Sequence, residues 1–364
     1  MTGPLEGLTI IELAGLGPGP FAATMLADHG ARVIRVERPG NLSIPNDPLT
    51  RGRHSIAIDL KHPAGRDLVE RLAARADGLI EGYRPGVMEK LGLGPDVLQA
   101  ANPRLVYGRI TGWGQDGPLA AEAGHDINYL ALTGLLSAIG EADRPPRAPL
   151  NLVADYAGGG MMLAFGMLAA LLEVQRGAPR GRVIDAAMSD GAAMIGAIVY
   201  GLRAAGMWPN TRAANMLDGG DPLYGCYDCA DGKALALGAI EPQFRAALVA
   251  GLGLSATPSH AEVAAAVAGR PRDAWVALFA GHDACVAPVL DLAEAPVHPH
   301  NVSRGTFVDV GGVIQPAPAP RYVGSRLPDP RAPRRAGEDG RALLTEIGLS
   351  DDDIAQLTTD GAIR

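Results

Sequence analysis

The run Leu8-Thr-Ile-Ile-Glu-Leu13 is followed by the segment 21–29 and then by Arg32-Val-Ile-Arg-Val-Glu37. Two strand-like runs on either side of a helix-like segment predict a βαβ unit with parallel strands. The pattern continues with predicted strands at 55–60, 78–81, 104–110 and 183–187, and with predicted helices at 63–76, 127–136 and 161–172. Strands that alternate with helices in this way predict a doubly wound, parallel-sheet α/β domain.

The pattern changes after about residue 205. Residues 223–229 and 234–239 flank the turn Ala230-Asp-Gly-Lys233, and an Asp-Gly pair between two strand-like runs is typical of a β-hairpin. Helices are predicted near 242–252, 260–269 and 272–281. This part of the chain is therefore expected to form a second, smaller α+β domain.

These patterns give the expected domain boundaries. The large domain covers 1–204 and is completed by 321–364, and the small domain covers 223–305. Segments 205–222 and 306–320 are the expected linkers between them. Proline chemistry makes Gln315-Pro-Ala-Pro-Ala-Pro320 extended, so the second linker is expected to run back to the large domain as a strap.

Composition excludes several classes of function. Of the 364 residues 47% are apolar and 20% are charged, which is ordinary for a globular protein. The formal net charge of −8 does not fit a protein that binds nucleic acid or an anionic membrane through its overall charge. Any anionic ligand must therefore be held by a local basic cluster.

The cysteines and the apolar runs give expectations about metal and location. Cys226-x-x-Cys229 has no second pair, so the sequence predicts no structural zinc site, and three cysteines in all fit a reducing compartment. The first residues lack the basic and then apolar pattern of a signal peptide. The apolar run 161–172 is short for a membrane span. A cytoplasmic location is expected.

A glycine-rich turn follows the first predicted strand. Gly15-Leu-Gly-Pro-Gly-Pro20, with Glu37 at the end of the second strand, resembles a dinucleotide-binding fingerprint. The third glycine comes one position early, and Pro18 and Pro20 lack the N–H groups that would bind a pyrophosphate. The sequence therefore argues against a nicotinamide cofactor and predicts a tight turn that approaches another group closely.

Cations follow the next three predicted strands. Arg38 follows the second, Lys61 the third, and Gly82-Tyr83-Arg84 the fourth. Parallel sheets of this type bind ligands at the carboxyl ends of their strands. Each cation alone is typical of a solvated surface, but three at one edge of an acidic protein favour a ligand with several phosphates.

Three acid–base side chains lie in distinctive contexts: His125 in Gly124-His-Asp-Ile-Asn-Tyr129, Asp155 before Gly158-Gly-Gly160, and Glu241 before Pro242. Taken singly, each has a structural interpretation. His125 suits the first turn of a helix, Asp155 suits an N-cap, and Glu241 suits a first-turn acid. Their residue types alone do not establish a site.

A resemblance joins these segments. The chain resembles the family III CoA-transferase superfamily, and within it the α-methylacyl-CoA racemases, in segments that run nearly from end to end. The matching residues are 12–20, 59–61, 81–86, 111–115, 124–129, 185–188, 214–220 and 239–243. The resemblance implies a protein that forms interlocked dimers, with the site between the large domain of one subunit and the small domain of its partner.

The resemblance also implies roles for individual residues. His125 and Asp155 are the implied acid–base pair, Glu241 lies beside them and is implied to hydrogen-bond the histidine, and Asp126 begins the helix that follows. The implied CoA-binding residues are Arg38, Ile58, Asp59, Leu60, Lys61, Gly82, Tyr83, Arg84, Lys90, Gly124 and Tyr129. Where the family has arginine this chain has Lys90, which keeps the charge but loses the bidentate geometry.

The implied reaction interconverts R and S 2-methylacyl-CoA thioesters of lipid metabolism. It needs no metal and no cofactor, since CoA is part of the substrate. Two groups on opposite faces of the α-carbon exchange the roles of acid and base, and N–H groups beginning at Asp126 are expected to stabilise the enolate. One alternative is a CoA-transferase in which Asp155 acts as nucleophile, and another is a CoA-binding protein without catalysis, against which the presence of His125, Asp155 and Glu241 argues. The sequence does not indicate which acyl chain is preferred.

Overall fold

A computed structural model describes residues 3–40 and 47–364. The strands are β1 (Thr9–Leu13), β2 (Arg32–Glu37), β3 (His54–Ala57), β4 (Gly78–Glu81), β5 (Val106–Thr111), β6 (Val183–Ala187), β7 (Tyr224–Asp228), β8 (Ala234–Gly238), β9 (Val286–Val289), β10 (Phe307–Val310) and β11 (Val313–Pro316). The helices are α1 (Pro18–Asp28), α2 (Pro63–Ala73), α3 (Val87–Lys90), α4 (Pro95–Ala101), α5 (Asp126–Leu132), α6 (Met162–Gln175), α7 (Met188–Ile195), α8 (Ala197–Ala204), α9 (Pro242–Leu252), α10 (His260–Val267), α11 (Arg272–Phe279), α12 (Pro299–Arg304), α13 (Gly340–Glu346) and α14 (Asp351–Thr359).

These elements form two compact units. The first unit comprises the described parts of Met1–Thr133 together with Leu150–Ile195 and Gly305–Arg364, and the second comprises Gly134–Pro149 and Gly196–Arg304. The first unit contains a six-stranded parallel sheet in the order β3-β2-β1-β4-β5-β6. This is the doubly wound α/β fold that the sequence predicts.

The strand order places a crevice between β1 and β4, where the connections leave the sheet in opposite directions. One face of the sheet is covered by α1 and α6, since a methyl group added to Gly19 would meet Ile110 and one added to Gly78 would meet Met167. The opposite face carries a core that includes Ile11, Val36, Leu79 and Tyr107 together with side chains of α2, α13 and α14. Burial of this apolar surface stabilises the sheet and fixes the position of its carboxyl edge.

Among the ends of elements that differ from the predicted ones, two lie near the carboxyl edge of the sheet. The third strand ends at Ala57, three residues early, because the Asp59 N–H donates to the Ala362 carbonyl and Ile58 bridges to Ile363. Helix α1 begins at Pro18, not at residue 21. Proline at the first turn of a helix costs no hydrogen bond, so the glycine-rich turn is shorter than expected.

A long helix passes through the first unit. A π-helix, Leu152–Met161, continues directly into α6, where the sequence predicts a helix only from residue 161. Together they form a helix of 24 residues, and an 18-residue window within it has a mean hydropathy of 1.7. This is long and apolar enough to cross a membrane, although half of that window is buried in the protein. The short run predicted from sequence is thus part of a longer helix, and burial of this kind is also found in core helices.

The second unit is built on the antiparallel sheet β7-β8-β9, and its β7–β8 pair is the hairpin that the Asp-Gly turn predicts. Helices α9, α10 and α11 cover the sheet with a core that includes Leu248, Val263 and Trp275. The predicted α+β character of this part of the chain is therefore present.

The unit boundaries differ from the expected ones, and Gly134–Pro149 lies in the second unit although the large domain was expected to include it. Helix α8 lies in the second unit, not in the large domain. Gly196, just before this helix, packs closely against Leu135, and Tyr200 of the helix lies against Gly134. The segment 306–320 is not only a linker, since it forms the hairpin β10–β11 in the first unit. Arg51 holds this hairpin by donating to Gln315 Oε1 at 2.8 Å and to the Pro316 carbonyl at 2.6 Å.

Candidate active site

A cavity of about 1030 Å³ opens in the first unit beside the carboxyl end of β1. Its wall includes two of the predicted acid–base residues and the turn after β1. Its lining includes Gly15, Leu16, Gly17, Pro20, Arg35, Glu37, Arg53, Ser55, His125, Tyr129, Asn151, Asp155, Met188, Arg334 and Arg335. The structure therefore brings together His125 and Asp155, which lie 30 residues apart in the sequence.

His125 is the N-cap residue of α5, with an extended backbone and an exposed side chain. Its own N–H donates to Asn128 Oδ1 at 3.1 Å, which fixes the first turn of the helix. Tyr129 holds the preceding residue, because its hydroxyl donates to the Gly124 carbonyl and its ring packs edge-on against Trp113. The histidine is thus presented to the cavity from a backbone that is fixed on both sides.

Asp155 lies inside the π-helix and is not an N-cap, as its sequence context alone would suggest. Its side chain is half-buried, and Asn151 Nδ2 donates to Asp155 Oδ2 at 3.3 Å. Burial raises the pKa of the Asp155 carboxyl, and the nearby Asp126 raises it further, whereas Asn151 and His125 lower it. The geometry therefore favours a carboxyl group that is protonated more readily than an ordinary aspartate.

Asp126 connects the two acid–base residues. Its side chain is buried, and Oδ2 accepts the N–H groups of Ala154 and Asp155, each at 2.8 Å. The carboxylate therefore fixes the first turn of the π-helix to the start of α5. The Asp126 N–H is at the first helical position, where an N–H group has no acceptor within the helix.

Glu241 lies in the second unit as the N-cap residue of α9, with an exposed side chain. His125 belongs to the first unit. The implied hydrogen bond between Glu241 and His125 therefore stays a prediction.

The implied CoA-binding residues surround the carboxyl edge, but of that set only Tyr129 is among the residues that line the cavity. Ile58 is buried in the core, and its N–H donates to the Glu37 carbonyl at 2.9 Å. Asp59 Oδ1 accepts the Lys61 N–H at 2.9 Å and shapes the turn through Leu60. The loop after β4 is fixed in a similar way, because the buried Glu81 accepts the Tyr83 N–H at 2.7 Å beside Gly82.

The implied CoA-binding cations are exposed and unpaired. Arg38, Lys61, Arg84 and Lys90 make no ion pair with any residue in the described ranges 3–40 and 47–364. By contrast, Arg35, Arg53 and Arg109 are buried and each pairs with a glutamate. Cations that lack an internal partner on a protein of net charge −8 are available to an anionic ligand.

Sequence reasoning missed several of the cavity residues. Glu12, Arg35 and Arg53 form a buried ion cluster below the turn after β1, and Glu37 and Ser55 hydrogen-bond each other beside it. The sequence contained an indication of this cluster, because charged residues seldom lie within the strands of a buried parallel sheet. Arg334 and Arg335, which come from the chain before α13, gave no such signal.

A family model for CoA-transferase family III matches residues 5–336. The chain belongs to CoA-transferase family III. A solved family III fold, a CaiB/BaiF family protein from Brucella suis, superposes with a TM-score of 0.83 at 27% identity, covering 95% of this chain and 100% of that one. This agreement covers both units of the chain.

Two curated relatives in this family differ in the activity that they are named for. Alpha-methylacyl-CoA racemase from Homo sapiens is 44% identical over 99% of this chain and 97% of its own length. Acetyl-CoA:oxalate CoA-transferase from Acetobacter aceti is 30% identical over 95% of this chain and 96% of its own. The resemblance stated from the sequence is thus confirmed, and the greater similarity among these two is to the racemase.

Proposed function

We propose that this protein interconverts the R and S forms of 2-methylacyl-CoA thioesters by removing and returning the α-proton. The observation that carries the proposal is that His125 and Asp155 line the same cavity, with the Asp155 carboxyl in surroundings that raise its pKa. The 44% identity to a protein named as a racemase supports it.

The pair suits a reaction that must run in both directions. One epimer presents its α-proton to one residue, and the enolate then takes a proton from the other residue on the opposite face. A histidine titrates near neutral pH, and a half-buried aspartate is protonated more easily than usual, so each group can serve as acid or base. No third titratable group is needed for the two proton transfers.

The enolate oxygen requires hydrogen-bond donors. The N–H groups of Asp126 and Ile127 occupy the first positions of α5, next to His125, and have no acceptor within the helix. Helix α5 ends at Leu132, not at 136 as predicted, so we assign this role to the individual N–H groups and not to a long helix dipole.

The CoA moiety is proposed to bind along the carboxyl edge of the sheet. Arg38, Lys61 and Arg84 follow β2, β3 and β4, and within the part of the chain that the structure describes they have no ion-pair partner that would compete with phosphates. An acyl chain is proposed to extend from the thioester over Leu16 and Met188. Leu16 is 90% exposed, which is unusual for a side chain of this size unless a ligand or a partner covers it.

A second copy of this chain is the proposed partner. Phe165, Leu168 and Leu172 are exposed along one face of α6, a spacing that forms an apolar stripe on the first unit. Packing against another subunit would bury this stripe, as the family resemblance implies. Phe165→Glu should convert a dimer into a monomer in analytical ultracentrifugation, and Arg182→Glu, a change at an exposed residue before β6, should not.

CoA transfer is the alternative activity. CoA transfer uses only the ionised carboxylate of Asp155 as nucleophile, whereas racemisation uses its ionised form in one direction and its neutral form in the other, and burial raises the pKa of this carboxyl. The two activities are separated by proton NMR of 2-methylbutanoyl-CoA in D₂O without any acceptor acid. Loss of the α-proton signal with inversion supports racemisation. An unchanged α-proton, with CoA transferred once a dicarboxylate is added, would replace the racemase proposal with the transferase.

A further inference from the structure

A buried cluster of charges lies behind the turn that lines the cavity, and two of its members, Arg35 and Arg53, also line the cavity. Glu12 is fully buried in β1, and Arg35 and Arg53 are 7% and 2% exposed. Arg35 donates to Glu12 Oε1, and Arg53 donates through Nε to Glu12 Oε2 at 3.0 Å. A buried ion cluster is weak evidence of a stabilising role, because apolar residues of similar volume often replace such a cluster without loss of stability. Its presence at the cavity therefore suggests another role.

Both arginines also bind the turn between β1 and α1. Arg35 Nη2 donates to the Gly15 carbonyl at 3.3 Å, and Arg53 Nη2 donates to the Pro20 carbonyl at 2.6 Å. One carboxylate thus orients two guanidinium groups that hold the two ends of the segment 15–20. Between them Gly17 has φ 69° and ψ −116°, a conformation that a residue with a side chain rarely adopts.

This turn forms the wall next to Asp155. A methyl group at Gly17 would lie 4.0 Å from Asp155 Oδ2, so the glycine backbone covers one side of the carboxyl group. The segment 14–20 contains no titratable residue, so it brings no ionisable side chain to Asp155. Burial is the largest cause of the raised pKa of Asp155, which agrees with this arrangement.

We propose that Glu12, Arg35 and Arg53 are positioning residues that hold the turn 15–20 against Asp155 and thereby keep this carboxyl in place for proton transfer. The inference rests on the proposed racemase activity, because it assigns a function to the same cavity. A positioning role differs from a general structural role in its selectivity. Loosening the cluster should slow proton transfer at the face of the α-carbon that Asp155 serves, and should leave proton transfer at the face that His125 serves unchanged.

The test uses Arg53→Lys in the full-length protein. A lysine keeps the charge but cannot bind Glu12, the Arg51 carbonyl and the Pro20 carbonyl from one planar group. We expect kcat for racemisation to fall about tenfold or more with KM within about threefold, since a displacement of about 1 Å can cost up to about 10²-fold. Gly17→Ala, which disturbs the turn directly, should act in the same way if Arg53→Lys fails to fold.

The decisive readout is α-proton exchange in D₂O from each pure epimer of 2-methylbutanoyl-CoA. Asp155→Asn defines the epimer whose exchange depends on Asp155. Arg53→Lys should slow exchange of that same epimer and leave the other within about threefold. The matched control is Arg272→Lys, a substitution of an arginine that is 4% exposed, bonds Glu294 and lies in the second unit. It should lower the melting temperature without any bias between epimers.

The outcomes separate the two proposals. Equal slowing of both epimers, or unchanged kinetics in both Arg53→Lys and Gly17→Ala, would overturn the positioning role while the racemase proposal stands. A wild-type protein that exchanges neither epimer would overturn the proposed function and the positioning role with it.

Discussion

Asp126 accepts the backbone N–H of Asp155 at 2.8 Å, so the residue next to one predicted acid–base group holds the main chain of the other. The same oxygen accepts the Ala154 N–H. The relative position of His125 and Asp155 is therefore fixed through a single buried carboxylate and not through the flexible ends of two side chains.

Replacing Asp126 by alanine should damage both stability and activity. The N–H groups of Ala154 and Asp155 would lose their acceptor, and each loss costs about 1–3 kcal/mol of folding free energy. The π-helix would then be free to shift relative to α5. We expect kcat to fall about 10²-fold. Urea unfolding and steady-state kinetics measure the two effects. Asp126→Asn retains an acceptor oxygen, so it should preserve most of the stability, and equal destabilisation by both substitutions would contradict the assigned clamp.

His125→Ala and Asp155→Asn should each abolish racemisation but leave exchange at one face. The ratio of kcat/KM for R-to-S and S-to-R conversion is fixed by the equilibrium constant, so a variant cannot favour one direction of net racemisation. A difference between the two epimers can therefore appear only in their rates of α-proton exchange. Each variant should exchange only the epimer that faces the remaining base, with retention of configuration, and the two variants should retain opposite epimers. Deuterium NMR of each epimer decides this. Exchange of the same epimer by both variants would refute the two-base assignment.

The pKa of Asp155 predicts how its removal affects stability. Its pKa in the folded state is raised, so the charged form is disfavoured by folding, and the stability present at low pH is lost as the pH rises through the folded-state pKa. Asp155→Asn should therefore unfold at higher urea concentration than the wild type at about pH 7–8, and the difference should vanish toward about pH 4. If Asp155→Asn raised the stability equally at every pH, ionisation of Asp155 would not be the cause of the difference.

The proposed CoA cations should act on ground-state binding. Arg38→Ala and Arg84→Ala should each raise KM about ten- to hundredfold with little change in kcat, because a charge-assisted contact far from the reacting carbon is worth about 1.5–3 kcal/mol in both states. The effect should weaken at higher ionic strength. Arg182→Ala is the matched control, since Arg182 is exposed but precedes β6 at the opposite edge of the sheet. A change confined to kcat would place the CoA moiety elsewhere.

The cysteine pair should be dispensable for turnover. Cys226 is exposed, and Cys229 is buried in the second unit, where burial raises the pKa of its thiol and makes it a poor nucleophile. No group of three metal-binding side chains occurs in the described part of the chain. Cys226→Ser with Cys229→Ser should leave kcat/KM within a few-fold of wild type at some cost in stability. A zinc content near one per chain that disappears in this variant would contradict the prediction.

The sequence predicted those parts of the fold that depend on local pattern. Arg32–Glu37, Gly78–Glu81 and Val183–Ala187 have the predicted bounds, because apolar runs between turns leave little choice of structure. The helical conformation of 152–160 was not predicted, since glycines disfavour helices in isolation. It depends on tertiary contact: Gly158 and Gly191 pack so closely that a methyl group on either would overlap the other's backbone. The acid–base roles of His125 and Asp155 were predicted through the family resemblance, whereas the contacts of Glu12 and Arg53 are visible only in three dimensions.

The π-helix constrains insertions and deletions in this part of the chain. A π-helix is wider than an α-helix, and in effect it accommodates an additional residue within a helical segment. Deleting one residue from Gly158-Gly-Gly160 should restore α-helical pairing and rotate the preceding turn by about 100° relative to α6, since an α-helix has about 3.6 residues per turn. Asp155 would then face a different direction from α6, although no residue in contact with the substrate had been exchanged. Natural variation in length should therefore be tolerated poorly between Asn151 and Met162.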